Sequence, residues 1–373
     1  MNIKTEIKTE GLSAAVIRNQ VVKNEAEELS MSVIVAAHNA EKTLEKCLQA
    51  IHSSIYKPIE VIVVDDASTD KTGEIASRYK VKLLSLKSNV GQGKAKNTAS
   101  KFTKGNIFVF VDSDIIVAKD TFGIIAECFQ RIPDAGAVTG CLDGNAPVKG
   151  FFSRYKNRYM EFIFSRLPDR VDFLFTSIAA IRRTTFLPFA ESRMKADDTD
   201  LGFRLSGEGT QIIFSPHLKV QHLKEYSFSS FIRNEFKIPY DWAQIFLRKH
   251  GLEALIKKGR FAHASFSQII GLFLASATAI LLIAAGMGQS NILVPVFGIV
   301  AILALNYRFL KYIAKNEGIK FALAGTVVTF FDPIIMSIGI GAGFCTFIMK
   351  SVKEFRFNRL TKNSSEDLKR EIR

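Results

Sequence analysis

The chain has 373 residues, 47% of them hydrophobic, and a formal net charge of +14, which suits one large domain with added elements or two domains. Its basic residues gather around a hydrophobic C-terminal third, with Arg248, Lys249, Lys257, Lys258 and Arg260 before it and Lys353, Arg356, Arg359 and Lys362 after it. That placement fits an anionic membrane surface and argues against a nucleic-acid partner. Cys47, Cys128, Cys141 and Cys345 follow no metal-ligand spacing and read as reduced thiols in a cytosolic environment.

Residues 1–30 mix Lys, Glu, Thr and Asn without an apolar run of signal-peptide length, so they read as a mobile tail. From Met31 the pattern becomes α/β. "SVIVAAHN" (32–39) is a short apolar run ending in polar residues, and Leu44, Cys47, Leu48 and Ile51 follow it at helical spacing. The alternation repeats with "EVIVVDDAS", "VKLLSL" and "NIFVFVDSD", each followed by a helix-like segment. Runs such as Val61–Val64 are apolar on both faces, as parallel strands covered by helices require. A doubly wound sheet is the expected fold, with its ligand beyond the carboxyl ends of the strands. Residues 31–225 form the expected catalytic domain.

Residues 226–262 interleave Phe228, Phe231, Phe236, Trp242 and Phe246 with Arg233, Lys237 and Arg248, a pattern for an amphipathic interfacial stretch or a core-facing helix. The membrane region is expected over 263–350, with spans near 265–286 and 291–310, each close to the roughly 20 apolar residues that cross a bilayer. The short loop between them is uncharged and the outer flanks are basic, so both ends of this hairpin are expected in the cytoplasm. A third stretch, 321–349, is interrupted by Asp332 and Pro333 and is expected to be broken. Either a single crossing or a re-entrant segment fits, and only the latter keeps the basic tail 351–373 cytoplasmic. Asp332 reads either as functional or as a helix cap beside Pro333.

Three acidic clusters stand out. Asp65 and Asp66 close the second strand, and Asp112 and Asp114 close the fourth. Asp197, Asp198 and Asp200 open a helix marked by Leu201 and Leu205; Asp200 is accounted for by pairing with Arg204, four residues on. Like charges this close raise each other's pKa or demand a cation.

In this order, "SVIVAAHNAEKTLEKCLQAI", "EVIVVDDASTDKT", "NVGQGKAKN", "VDSD" and "DDTDLGFRL" resemble glycosyltransferase family 2, the inverting nucleotide-sugar transferases, over about Ser32 to Trp242. The resemblance implies a GT-A fold, a doubly wound mixed α/β sheet, here followed by C-terminal transmembrane helices. It implies that Ala36, Asp65 and Asp66 contact the nucleoside and that Lys94 or Lys96 approaches base or phosphate. Asp112 and Asp114 would hold Mg²⁺ or Mn²⁺ against the donor diphosphate, with His222 near it; such hard ions take one or two carboxylates plus substrate phosphates. Asp198 would be the general base, beside Asp197 in place of the family's usual Glu. Arg233 and Lys237 could meet a diphosphate.

Two departures matter. Processive synthases carry Gln-x-x-Arg-Trp where this chain has "FIRNEFKIPYDW", and the usual Gly-Gly-Phe-Asp is replaced by "LPFAESRMK". The expectation is a multi-pass plasma-membrane enzyme with its catalytic domain on the cytoplasmic face, moving one sugar from a nucleotide-sugar donor to a lipid-linked or membrane-proximal acceptor. A processive polysaccharide synthase is the alternative, and a non-catalytic membrane-bound scaffold is a further one. Paired carboxylates would also suit a glycosidase, which has no use for the metal-type motif.

Overall fold

The computed structural model describes residues 29–190, 194–248 and 251–371, so the expected tail at 1–30 lies outside it except for Leu29 and Ser30. The chain opens with β1 (Met31–Ala37), α1 (Leu44–His52), β2 (Glu60–Asp65), α2 (Thr72–Ser77), β3 (Lys82–Ser85), α3 (Gln92–Ser100) and β4 (Ile107–Val111). β1 lies between β2 and β4, parallel to both, and β3 extends the parallel edge. Val33–Val35 and Ile62–Val64 are completely buried, which is why these strands do not alternate. Helix α1 turns Leu44, Cys47, Leu48 and Ile51 inward, the face its helical period specifies.

Beyond β4 the sheet becomes mixed. β8 (Ile178–Arg182) runs antiparallel to both β4 and β6 (Ala135–Leu142), β6 runs parallel to β9 (Gln211–His222), and β5 (Ile115–Val117) lies antiparallel against the end of β9. With β7 (Arg170–Val171) also on β9, nine strands form one sheet among the described residues. Helices α4 (Thr121–Arg131), α5 (Phe151–Phe164) and α6 (Asp197–Gly207) complete this body.

The remainder is mostly helical: α7 (Phe228–Arg248), α8 (Gly251–Lys258), a hairpin of β10 (Arg260–Phe261) and β11 (Ala264–Ser265), then α9 (Phe266–Gly286), α10 (Leu293–Glu317) and α11 (Ile319–Glu371). Among the described residues three helices are long and apolar enough to cross a membrane: Phe266–Gly286, Leu293–Glu317 and Ile319–Lys353, with mean hydropathies of 2.4, 1.9 and 1.8. Ser265 and Gln268 form a capping box that fixes the start of α9.

The break expected within 321–349 does not occur, because α11 runs unbroken through Pro333. Lateral packing explains its continuity. A Cβ at Gly339 or Gly343 would fall on the backbone oxygens of Phe236 and Tyr240, and the Phe246 and Phe344 rings lie 6.4 Å apart. This brace offsets the hydrogen bond that Pro333 cannot donate. Helix α7 therefore has three apolar contacts: Trp242 and Ile245 join the main core, Phe231 joins a second core, and Phe236, Tyr240 and Phe246 face α11.

That second core, Tyr155, Phe231, Phe309, Ile313 and Ala322, joins the α/β body to the apolar helices. Charged contacts reinforce it. Arg158 Nε donates to Glu317 at 2.7 Å, Arg154 pairs with the same acid, and the Tyr312 hydroxyl donates to Glu161.

Helix α6 is seated by a close approach, since a Cβ on Gly202 would lie 2.5 Å from the Leu174 nitrogen, whereas one on Gly207 would meet nothing within 4 Å. Gly202→Ala should cost about 1–3 kcal/mol by overpacking. Gly207→Ala should change stability by about 1 kcal/mol or less. Thermal unfolding of the two variants checks the difference.

Candidate active site at the strand ends

The carboxyl ends of β1, β2 and β4 share one edge, with Ala36 beside Val64 and Ile34 beside Phe110 in register. Asp66 follows β2 and accepts hydrogen bonds from the backbone of Val90 at 2.7 Å and Gly91 at 2.8 Å. It thereby pins the turn into α3, where Gly91 takes a φ of +90° that favours glycine. Ala36, Asp66 and Lys94 line one large cavity of about 880 Å³. Asp65 does not. Its carboxylate accepts from the Ser68 backbone at 2.9 Å, because successive residues at a strand end point to opposite sides.

Asp112 and Asp114 both line the cavity. Lys96, expected to face substrate, is instead completely buried, and its ammonium donates to Asp112 at 3.0 Å and to Thr176 at 2.9 Å. Ser177 donates to the other Asp112 oxygen at 2.9 Å. The pairing of β5 with β9 sets Ile115 opposite His222, which brings the His222 imidazole 3.1 Å from Asp114. Burial alone would raise the Asp114 pKa, but His222 and Lys224 outweigh it and hold it down to about 2.

Helix α6 delivers the third cluster. Asp197 accepts from the Gln92 side chain at 2.8 Å, and Asp198 accepts from the backbone of Thr199 at 2.7 Å and of Thr176 at 3.3 Å. Both are among the residues lining the cavity. Burial pushes both acids up, Asp198 to about 6, while the Lys96 ammonium opposes the shift. Asp200 pairs with Arg204 at 2.8 Å, an ordinary i, i+4 bridge.

Arg233 and Lys237 are absent from the cavity wall. Lys237 pairs with Asp241 at 2.9 Å and lies over the Tyr240 ring. Both cations nevertheless act on Lys195, whose pKa is lowered first by burial and then by Lys224, Arg233 and Lys237. Lys195 and Lys224 do line the cavity, giving it a basic rim that the motifs did not reveal. Gln92, Thr176 and Ser177 were also missed. Gln92 sits inside a quoted motif, but the Thr176–Ser177 pair precedes β8 without any spacing signal. Of the replacement segment "LPFAESRMK", residues 191–193 lie outside the described residues.

Asp112, Asp114 and His222 offer two carboxylates and an imidazole, and Asp114 remains anionic, so the donors suit a hard divalent ion. Among the described residues no group of three or more His, Cys, Asp or Glu could hold a metal alone. The donor set therefore fits an ion completed by water and substrate phosphate.

Lys96 is the buried cation shared by Asp112, Asp197 and Asp198. Lys96→Met should cost about 3–5 kcal/mol at neutral pH, as removal of one partner of a buried pair does. The loss should shrink as pH falls through about 6, where Asp198 takes up a proton and needs no countercharge. Unfolding at several pH values measures this.

Residues 32–187 match the model of glycosyl transferase family 2. Glycosyltransferase GlyG of Streptococcus pneumoniae is 35% identical over 117 residues, covering 30% of this chain and 38% of that protein. The UDP-Glc:alpha-D-GlcNAc-diphosphoundecaprenol beta-1,3-glucosyltransferase WfaP of Escherichia coli is 38% identical over 87 residues, covering 22% of this chain and 35% of that protein. The match thus spans well under half the length of either relative. A mannosyltransferase from Pyrobaculum calidifontis, solved with GDP-Man and Mn²⁺, shares the fold with a TM-score of 0.56 at 20% identity, over 84% of this chain and 90% of that one. Motif order, sheet topology and family match agree that residues 32–187 are a glycosyltransferase family 2 domain of the GT-A fold.

Proposed function

We propose that the chain is an inverting glycosyltransferase that moves a single sugar from a nucleotide-sugar donor to a lipid-linked acceptor at a membrane surface. The observation that carries this reading is the single cavity joining Asp112, Asp114 and Asp198 to residues of the apolar helices, among them Gln268, Asn306 and Asp332. An acceptor head can enter it from the lipid side.

In the proposed reaction Ala36, the Asp66-pinned turn and Lys94 hold the nucleoside side of the donor. Asp112 and Asp114, with His222 orienting Asp114, would hold Mg²⁺ or Mn²⁺. The ion supplies charge stabilisation for the leaving diphosphate. Asp198 draws the proton from the acceptor hydroxyl as its oxygen bonds to the anomeric carbon; the bond from that carbon to the diphosphate oxygen breaks, and the nucleoside diphosphate leaves with the electron pair. One displacement inverts the centre. The positions of Arg233 and Lys237, off the cavity wall, favour one transfer per acceptor over processive synthesis.

For the organisation, we assign catalysis to 31–225, the joint to 226–262, the membrane region to 263–350 and a basic tail to 351–373. In the plasma membrane, α9 and α10 cross as a hairpin with a cytoplasmic catalytic domain, since the loop Met287–Asn291 is uncharged and the flanks are basic. Helix α11 lies along the membrane surface. It packs on α7, which carries Arg233, Lys237 and Arg248 and joins the main core on its other side, so the two helices share one depth.

Two measurements test this. Purified protein with Mn²⁺, a panel of nucleotide sugars and a lipid extract should release nucleoside diphosphate, with an acid limb near pH 6 because the base must be unprotonated. Asp198→Asn should lower release at least ~10²-fold and abolish that limb. In a cysteine-free background, Gln289→Cys should react with an impermeant thiol reagent from outside cells, and Ser351→Cys only in inverted vesicles. Labelling of Ser351→Cys from outside would sink the surface placement of α11.

A further inference from the structure

Asp332 is an acid in an apolar helix, 5% exposed, and it lines the cavity. Its Oδ1 has no hydrogen-bond partner among the described residues. The charged groups acting on it are Glu235 of α7 and Lys156 of α5. Lys156 is already engaged, with its ammonium 2.7 Å and 2.8 Å from the two Glu235 oxygens, and Asn234 donates to Glu235 at 3.0 Å. At this end of the cavity the one ammonium acting on Asp332 is thus already committed to Glu235. An unsatisfied buried carboxylate oxygen is costly, so the site is built for something that donates hydrogen bonds.

We propose that the membrane-side end of the cavity is a subsite for the hydroxyl groups of an uncharged polyol head, with Asp332 and Glu235 as acceptors. A phosphate would find the Lys156 ammonium already spent on Glu235, whereas a sugar hydroxyl donates directly to the unpartnered Asp332 oxygen. Tyr159, half-buried and lining the same cavity, offers a flat apolar surface to the carbon face of such a ring. Leu272, Phe309 and Met336 continue the wall toward the apolar helices and suit the start of a lipid chain. This deepens the proposed function and rests on its reading of the cavity as the acceptor's path: the acceptor is a glycolipid whose sugar hydroxyls, not a phosphate, occupy this end.

Trp242 is the only tryptophan, is 8% exposed and lines the cavity, so its fluorescence reports occupancy. The full chain in nanodiscs would be titrated below micellar concentrations with octyl glucoside, octyl phosphate and octylammonium. Octyl glucoside should saturate and bind most tightly, and Asp332→Asn should raise its Kd about tenfold. Equal or tighter binding of octyl phosphate or octylammonium to the native chain overturns the proposal, as does an unchanged glucoside Kd in Asp332→Asn. Should that variant lose its native unfolding midpoint, Asp332→Ser replaces it, and the ranking of the three probes on the native chain decides alone. Nucleotide-sugar consumption is measured in parallel; if no donor is consumed while the glucoside results hold, the transferase reading fails and the polyol subsite stands.

Discussion

One buried ammonium holds the site together. Lys96 reaches between the end of β4 and the start of α6, bonding Asp112 directly and acting on Asp197 and Asp198 through a medium with little water. Without a cation there, three carboxylates delivered by separate elements would repel one another in a low-dielectric setting. The balance is partial by design of the geometry: burial still leaves Asp198 raised, while Asp114, paired with His222 on the other side of the cluster, is held low. Neighbouring acids are thus separated into one that stays charged and one that can exchange a proton near neutrality, a division that paired carboxylates need for distinct tasks.

The same body is tied to the apolar helices by a joint in which aromatic packing and ion pairs coincide. Tyr155 and Phe309 meet edge to face at 5.5 Å, and Arg158 bridges to Glu317 at the last turn of α10. Glu317 and Arg158 are nearly buried, so this contact orients the body on the helices more than a surface pair would. Because α5 and α7 contribute to both the joint and the cavity wall, the approach of an acceptor and the seating of the α/β body depend on the same side chains.

Much of this was legible in the sequence, and the limits have physical causes. Parallel strands, their helices and the three acidic clusters follow from apolar runs that end in Asp, and the helices around 265–310 follow from length and composition. Which member of a close pair faces the ligand did not follow. Asp65 and Asp66 point to opposite sides of a strand end, and Lys94 and Lys96 lie about 200° apart around a helix, so the choice depends on a register set by distant packing. Thr176 and Ser177 matter only because β8 lies antiparallel beside β4, a pairing that no local pattern encodes. The continuity of α11 through Pro333 likewise depends on α7, some ninety residues earlier in the sequence.

The cavity is chemically uneven along its length. Lys195 and Lys224 make one part basic beside Asp114, whereas toward the apolar helices Lys156 is committed to Glu235 and the Asp332 Oδ1 lacks a partner among the described residues. A displacement that expels a diphosphate needs cations at the leaving group, and those same cations would draw an anionic acceptor into the donor's place. In the proposed arrangement an acceptor end whose lysine is already spent removes that competition, because it rewards hydroxyl donors over phosphate. On the proposed reading, sorting hydrogen-bonding partners along one continuous cavity gives two substrates separate places while keeping both in reach of the same acid cluster.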